Sequence, residues 1–246
     1  MSLAAALQFG PLTEAADDAE FATRMPLPRR RRARAEAIAQ YRLERFAEVN
    51  GATFAAEARE PVRSGRIFGV GILQRSSDIV SFGGDRPIEV GTHRYSSGYL
   101  DSEPFVWGYA TTVLHAPVPA LFVDPKRVRG RAWRSLPHPI EVALGSPQLD
   151  PGFDRRYTVS ARIGTTATAR SIVERAVFEP AMLARLEAEE PLGLEVVDDR
   201  LFVYRWMPFD LAAPETWIRL LSLVDDLARA LEDEARGRER PAAVRA

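Results

Sequence analysis

The sequence predicts an α+β fold: a mostly antiparallel sheet with an N-terminal basic helix, two short helices near residues 165–190 and a C-terminal amphipathic helix. Three observations lead there. Strand-like runs follow one another from residue 78 to 163, joined by short Gly-, Ser- and Pro-rich connections that suit antiparallel neighbours better than βαβ units. Helical periodicity gathers at 29–49, at 165–190 and from Pro214, not between successive strands. LEVVDDRLFVYRW, residues 194–206, reads as a hairpin, with two apolar runs around Asp198-Asp199.

Residues 1–28 carry Glu14, Asp17, Asp18 and Glu20 against Arg24 and end in Pro26 and Pro28, so a loosely ordered acidic arm is expected. PRRRRARAEAIAQY then opens a helix over 29–49. Pro28 stands at its start, Ala35, Ile38, Ala39, Leu43, Phe46 and Val49 lie near one face, and Asn50-Gly51 make its stop. Strands are expected at 78–82, 87–95, 105–115, 120–123, 140–144 and 157–163, where β-branched and aromatic residues dominate. Helices follow at 165–176 and 180–190, with Pro180 in the first turn and Met182, Leu183 and Leu186 facing inward. The last helix repeats Trp217, Leu220, Leu221, Val224, Leu227 and Leu231 at spacings of three and four. One domain over 29–234 and a frayed tail over 235–246 complete the layout.

Composition excludes several chemistries. With 46 % hydrophobic and 27 % charged residues, the chain can bury a core. Its net charge of -1 supplies no overall basic field for nucleic acid, so such binding would need a local patch. There are no cysteines, which removes disulfides, thiolate metal sites and cysteine nucleophiles. Of the 33 basic residues only Lys126 is a lysine, in a turn-like DPKRVRGR, so lysine chemistry has one poor candidate. No apolar run reaches the length of a membrane-spanning helix, and the N-terminus does not read as a signal peptide.

Few motifs remain. GVG at Gly69–Gly71 has Gln74 where a dinucleotide loop needs its third glycine, and a strand follows, so a tight turn or bulge is expected and no cofactor. His93, His115 and His138 give no metal-ligand spacing, and no metal site is expected. His93 with Asp101 or Glu103, across the loop YSSGYLDSE, could form an acid–base pair. Phe105, Trp107, Tyr109 and Phe202, Tyr204, Trp206 alternate along two strands; they lack a basic lattice, so core packing is expected rather than base stacking. Arg29, Arg30, Arg31, Arg32 and Arg34 read first as the solvated start of a helix and second as a candidate surface for a membrane or a protein partner.

From FDRRYTVSARIGTTATARSIVERAVFEPAMLARLEAEEPLGLEVVDDRLFVYRW the chain resembles an uncharacterised bacterial family common in GC-rich genomes. The upstream FAEVNGATF, FGVGILQR, IEVGTHRY and YATTVLHAPVPALFV extend the likeness over about residues 35–230. The resemblance implies no catalytic residues. It implies a cytoplasmic globular part, often behind one or two transmembrane helices that precede the basic stretch, and this sequence departs from that pattern before Arg29.

The resulting expectation is a non-enzymatic cytoplasmic binding or interaction module at the inner face of the membrane, meeting a protein partner or an anionic lipid surface. Two alternatives stand beside it: an enzyme with a site near His93, Asp101 and Glu103, and a nucleic-acid-associated protein using Arg29–Arg34.

Overall fold

A computed structural model of the chain describes residues 3–13, 31–59, 64–98, 103–126, 136, 144–145, 152, 155–188 and 191–239. Nine strands form one sheet: β1 (Thr53–Arg59), β2 (Ile72–Phe82), β3 (Ile88–Ser96), β4 (Phe105–Val113), β5 (Leu121–Pro125), β6 (Leu144–Gly145), β7 (Tyr157–Arg162), β8 (Gly193–Val197) and β9 (Arg200–Trp206). The helices are α1 (Gly10–Thr13), α2 (Arg31–Val49), α3 (Thr166–Ile172), α4 (Pro180–Leu186) and α5 (Pro214–Glu239). The expected α+β class therefore holds, and each ladder between named strands is antiparallel.

The strand order is β1-β2-β3-β4-β9-β8-β5-β7-β6. The expected hairpin, β8–β9, is thus inserted between β4 and β5 instead of lying at an edge. Its turn places Asp198 at φ 54, a left-handed conformation that Asp tolerates.

Register sorts the side chains onto two faces. On one face Val80, Val90, Ala110, Val203, Leu194 and Val123 join the core under the helices. α5 supplies the opposite wall with the apolar stripe expected of it; Trp217, Leu220, Leu221, Val224, Leu227 and Leu231 are all buried. α4 begins as its sequence dictates: Pro180 stands in the first turn and the Glu179 carboxylate accepts from the Met182 amide at 3.1 Å. α3 runs into a π-helical turn, Val173–Val177, which keeps Val173, Ala176 and Val177 in the core.

Four details differ from the expectation. β1 was not anticipated, because TFAAEAR is rich in alanine; it becomes a strand by pairing with β2. β2 begins at Ile72, earlier than residue 78, and its two register shifts place Leu73 and Asp78 at positive φ. Residues 3–13 are seated on the domain: Ala4 and Leu12 are buried, and Gln8 and Asn50 exchange hydrogen bonds of 2.7 and 2.9 Å. Residues 14–28 of the expected arm lie outside the described residues. Finally, α5 continues to Glu239 with Ala235 buried, because the 3-10 turn Leu3–Ala6 packs against it.

The far end of α5 is pinned by one carboxylate. Glu232, with a side chain 2 % exposed, accepts from Arg86 at 2.8 and 2.9 Å, from the His115 amide at 2.7 Å and from Arg236 at 3.2 Å. Burial opposes its charge, but these donors win and hold the carboxyl below its ordinary value. A depressed carboxylate contributes stability above its unfolded value and loses it as pH falls through the folded one. Urea unfolding across the acid range is expected to show that loss, and Glu232→Gln is expected to flatten the dependence while lowering stability at neutral pH.

Candidate interaction groove

The second face of the sheet carries the aromatic stripes. Tyr95, Phe105, Trp107, Tyr109, Phe202 and Tyr204 are buried there, and Trp206 is half-buried against Trp107 and Phe105. Both stripes are core, as expected, and the five buried rings among them cannot stack on bases. Their cover is a strap, residues 64–71, whose 3-10 turn Arg66–Gly69 lowers Ile67 and Phe68 onto the rings. Phe68 meets Tyr109 edge-on at 5.1 Å. Gly65 is required by this approach, since a Cβ there would run into the Tyr204 hydroxyl. The GVG motif ends the strap as a turn, with Gly71 at φ 72.

Charge holds the strap down. The Arg66 guanidinium forks onto Asp124 at 3.0 and 2.6 Å and lies 4.6 Å over the Phe122 ring. Its backbone N–H donates to both oxygens of Glu195 at 3.2 and 3.0 Å, and the Tyr204 hydroxyl donates to Glu195 at 2.7 Å. Burial works against the Arg66 charge, but Asp124 and Glu195 outweigh it and keep the group protonated. Burial also lifts the Glu195 carboxyl above its ordinary value, with Arg66 and Tyr204 opposing. The charges of this cluster face one another, with Arg66 Nε 3.6 Å from Glu195, so the cluster fastens the cover to the sheet.

The same face contains His93. Its ring is fully buried, hydrogen-bonded to Ser76 Oγ at 2.9 Å and packed at 4.7 Å from Phe68. Glu103 is exposed at the start of β4, and Asp101 lies outside the described residues. The structure does not bring His93 and Glu103 together in an open pocket. His115 is exposed beside a cleft of about 600 Å3 whose main charges already pair: Arg86 with Glu232, and Arg229 with Asp225. Among the described residues, no group of three or more His, Asp or Glu is placed to hold a metal ion.

A groove of about 660 Å3 opens on the helix side, between α2, the β1–β3 part of the sheet and the 208–212 link from β9 to α5. Leu43, Leu73, Phe209 and Leu211 contribute apolar lining, and Gln40, Arg75, Asp78 and Arg94 contribute polar lining. The groove exists because α2 docks by only half its length. Tyr41, Leu43, Phe46 and Ala47 are buried, with Phe46 packed 4.8 Å from Trp217, whereas Arg34, Ala35, Glu36 and Ala39 are exposed. Of the expected inward face, Leu43 and Phe46 are core, Ile38 is half-buried, and Ala35, Ala39 and Val49 are exposed.

Of the arginine run, Arg29 and Arg30 lie outside the described residues, Arg31 and Arg32 open α2, and Arg34 is exposed in its first turn. α2 turns back through Asn50-Gly51 directly into β1 and packs along it. Its 19 residues rise roughly 28 Å, and the 7 residues of β1 span about 24 Å. The basic start of α2 therefore lies at the end of the sheet where β1 finishes, beside Arg75. Arg75 and Arg94 escaped notice in the sequence because LQRS and THRY each offer one ordinary arginine; the register that faces them to each other was the missing signal.

No family model matches the chain, and no curated protein matches it significantly. Among solved structures, the crystal structure of the mycobacterial trehalose monomycolate transport factor A, TtfA, is similar at a TM-score of 0.50 and 14 % identity. The match covers 78 % of this chain and 94 % of that one, and the likeness is one of fold.

Proposed function

We propose that the protein is a non-enzymatic interaction module that works at the cytoplasmic face of the membrane, with the basic start of α2 as its contact with anionic lipid. The observation that carries this reading is the half-docked helix. A helix needed only for the core would bury one stripe along its whole length. Here the first buried side chain in the described part of α2 is Tyr41, and before it Arg34, Ala35, Glu36 and Ala39 are exposed. Arginines so placed each contribute about 1 kcal/mol near an anionic surface.

Two further lines support the reading. The family that the sequence resembles places a basic stretch beside the membrane. The structural neighbour is a transport factor, which is compatible with an interaction module. Among the described residues, no helix is long and apolar enough to cross a membrane.

The test is co-sedimentation with vesicles of phosphatidylcholine containing phosphatidylglycerol. Binding is expected, to fall with added salt, and to drop about 30-fold or more in the double variant Arg29→Glu, Arg31→Glu. Equal binding to purely zwitterionic vesicles, or an unchanged double variant, would reject the proposal.

A further inference from the structure

The end of the sheet beside the basic helix start carries a feature that core packing does not explain. β2, β3 and β4 bring Arg75, Arg94 and Val106 into one transverse row, and Met207, just past the end of β9, bridges to Trp107 beside that row, its amide donating to the Val106 carbonyl at 3.1 Å. Arg75 and Arg94 are direct cross-strand partners, a like-charge pairing that costs stability. Arg75 leans on Glu57 at 3.6 Å, while Arg94 is exposed and has no ion pair among the described residues. One step toward the end of β2 stand Ile72 and Leu73. Of the large apolar side chains exposed in the described residues, three lie here: Ile72 at 55 %, Leu73 at 75 % and Met207 at 49 %.

The backbone beneath two of these residues is unusual. Leu73 has φ 55 and Met207 has φ 79, in the region where bulky side chains are rare and strained. Glycine would relieve both positions and would also remove the exposed apolar surface. A register shift in β2 projects Leu73 outward, and the exit from β9 does the same for Met207.

We infer that this end of the sheet is a membrane-insertion face, in which Ile72, Leu73 and Met207 enter the acyl boundary of an anionic bilayer while Arg75 and Arg94 meet lipid phosphates. This rests on the membrane-face reading proposed above and adds the surface that docks. Apolar prongs ringed by arginines fit the layered chemistry of a bilayer interface, with phosphate above hydrocarbon. Four acids line the groove behind them: Glu57 is engaged by Arg75, Asp78 by Gln40 and Ser77, Asp210 accepts from the Ala212 amide, and Glu36 stands exposed on α2. Among the described residues, none of the four forms an ion pair with Arg94. The start of α2 adds its arginines at the same end.

The cysteine-free chain makes the test direct. Leu73→Cys and, as a control, Ile163→Cys at the opposite side of the sheet are labelled with an environment-sensitive nitrobenzoxadiazole dye. Each is mixed with the phosphatidylglycerol-containing vesicles. A blue shift at position 73 and none at 163 is expected. Leu73→Asp and Met207→Asp are each expected to weaken vesicle binding about tenfold, and Ile163→Asp to leave it unchanged. Leu73→Gly separates fold from function, because it is expected to bind less without melting earlier. If the wild type binds but the dye at 73 stays in water and Leu73→Asp is neutral, the insertion face is wrong and the arginine contact stands. If the wild type does not bind vesicles, both readings fall. A concentration-dependent dimer dissociated by Leu73→Asp, without vesicle binding, assigns the face to a second copy of the chain and overturns the inference.

Discussion

Replacing Arg66 with methionine is expected to cost about 3–5 kcal/mol of unfolding free energy, the usual penalty for stranding one half of a buried ion pair. Methionine fills much of the same space and keeps the backbone N–H that donates to Glu195. It removes the guanidinium that compensates Glu195, whose side chain is 1 % exposed, and Asp124, whose side chain is 22 % exposed. The loss should appear in urea titration as a lower midpoint with an unchanged slope.

The pH dependence sharpens the test. Burial already lifts the Glu195 carboxyl, and Arg66 opposes that lift. Without the arginine the carboxyl rises further. A carboxyl raised in the folded state binds its proton more tightly there than in the unfolded chain, so the associated stability is present at low pH and lost as pH climbs through the folded value. Arg66→Met should therefore be weakest at neutral and alkaline pH and recover part of its deficit on mild acidification. A deficit constant with pH would mean that Glu195 is not the group left stranded.

Trp217→Ala is expected to cost a similar amount, about 3–5 kcal/mol, for a different reason. Trp217 is fully buried where three elements meet: its ring lies 4.8 Å from Phe46 of α2 and 5.9 Å from Phe82 of β2. Its indole N–H donates to the Leu211 carbonyl at 2.9 Å and so fixes the link that forms one wall of the groove. Truncation opens a cavity under the buried half of α2, Tyr41–Ala47. Trp217→Phe restores much of the volume but leaves the Leu211 carbonyl unpaired, and about 1–3 kcal/mol of loss is expected from that. Chemical denaturation of the two variants separates packing from hydrogen bonding.

Much of the local structure was legible in the residues. The six apolar positions of α5 are buried as their spacing requires, and the 194–206 hairpin forms around Asp198-Asp199. The two aromatic stripes point into a core, as their apolar setting implied. β1 was not legible, because alanines carry little strand preference and pairing with β2 supplies the conformation. The role of Arg66 was hidden among many arginines. Glu195 did leave a trace, a carboxylate inside the apolar run LEVV, which in a hairpin with both faces covered must find a cation.

The candidate surface was half legible. Arg29–Arg34 announce themselves as a run, and the helix they open is amphipathic on paper along its full length. That only its second half docks depends on where Phe46 meets Trp217, a contact across 171 positions of sequence. By itself the sequence determined the α+β class, the antiparallel preference, the main helices and the absence of cysteine chemistry, because these follow from residue type and short-range period. Only the tertiary structure decided that the hairpin enters the middle of the sheet, that the strap closes the aromatic face, and that Leu73, Arg75, Arg94 and Met207 share one end of the molecule. Strand order and register belong to pairs of distant segments, and a shift of one residue would turn Arg94 to the other face.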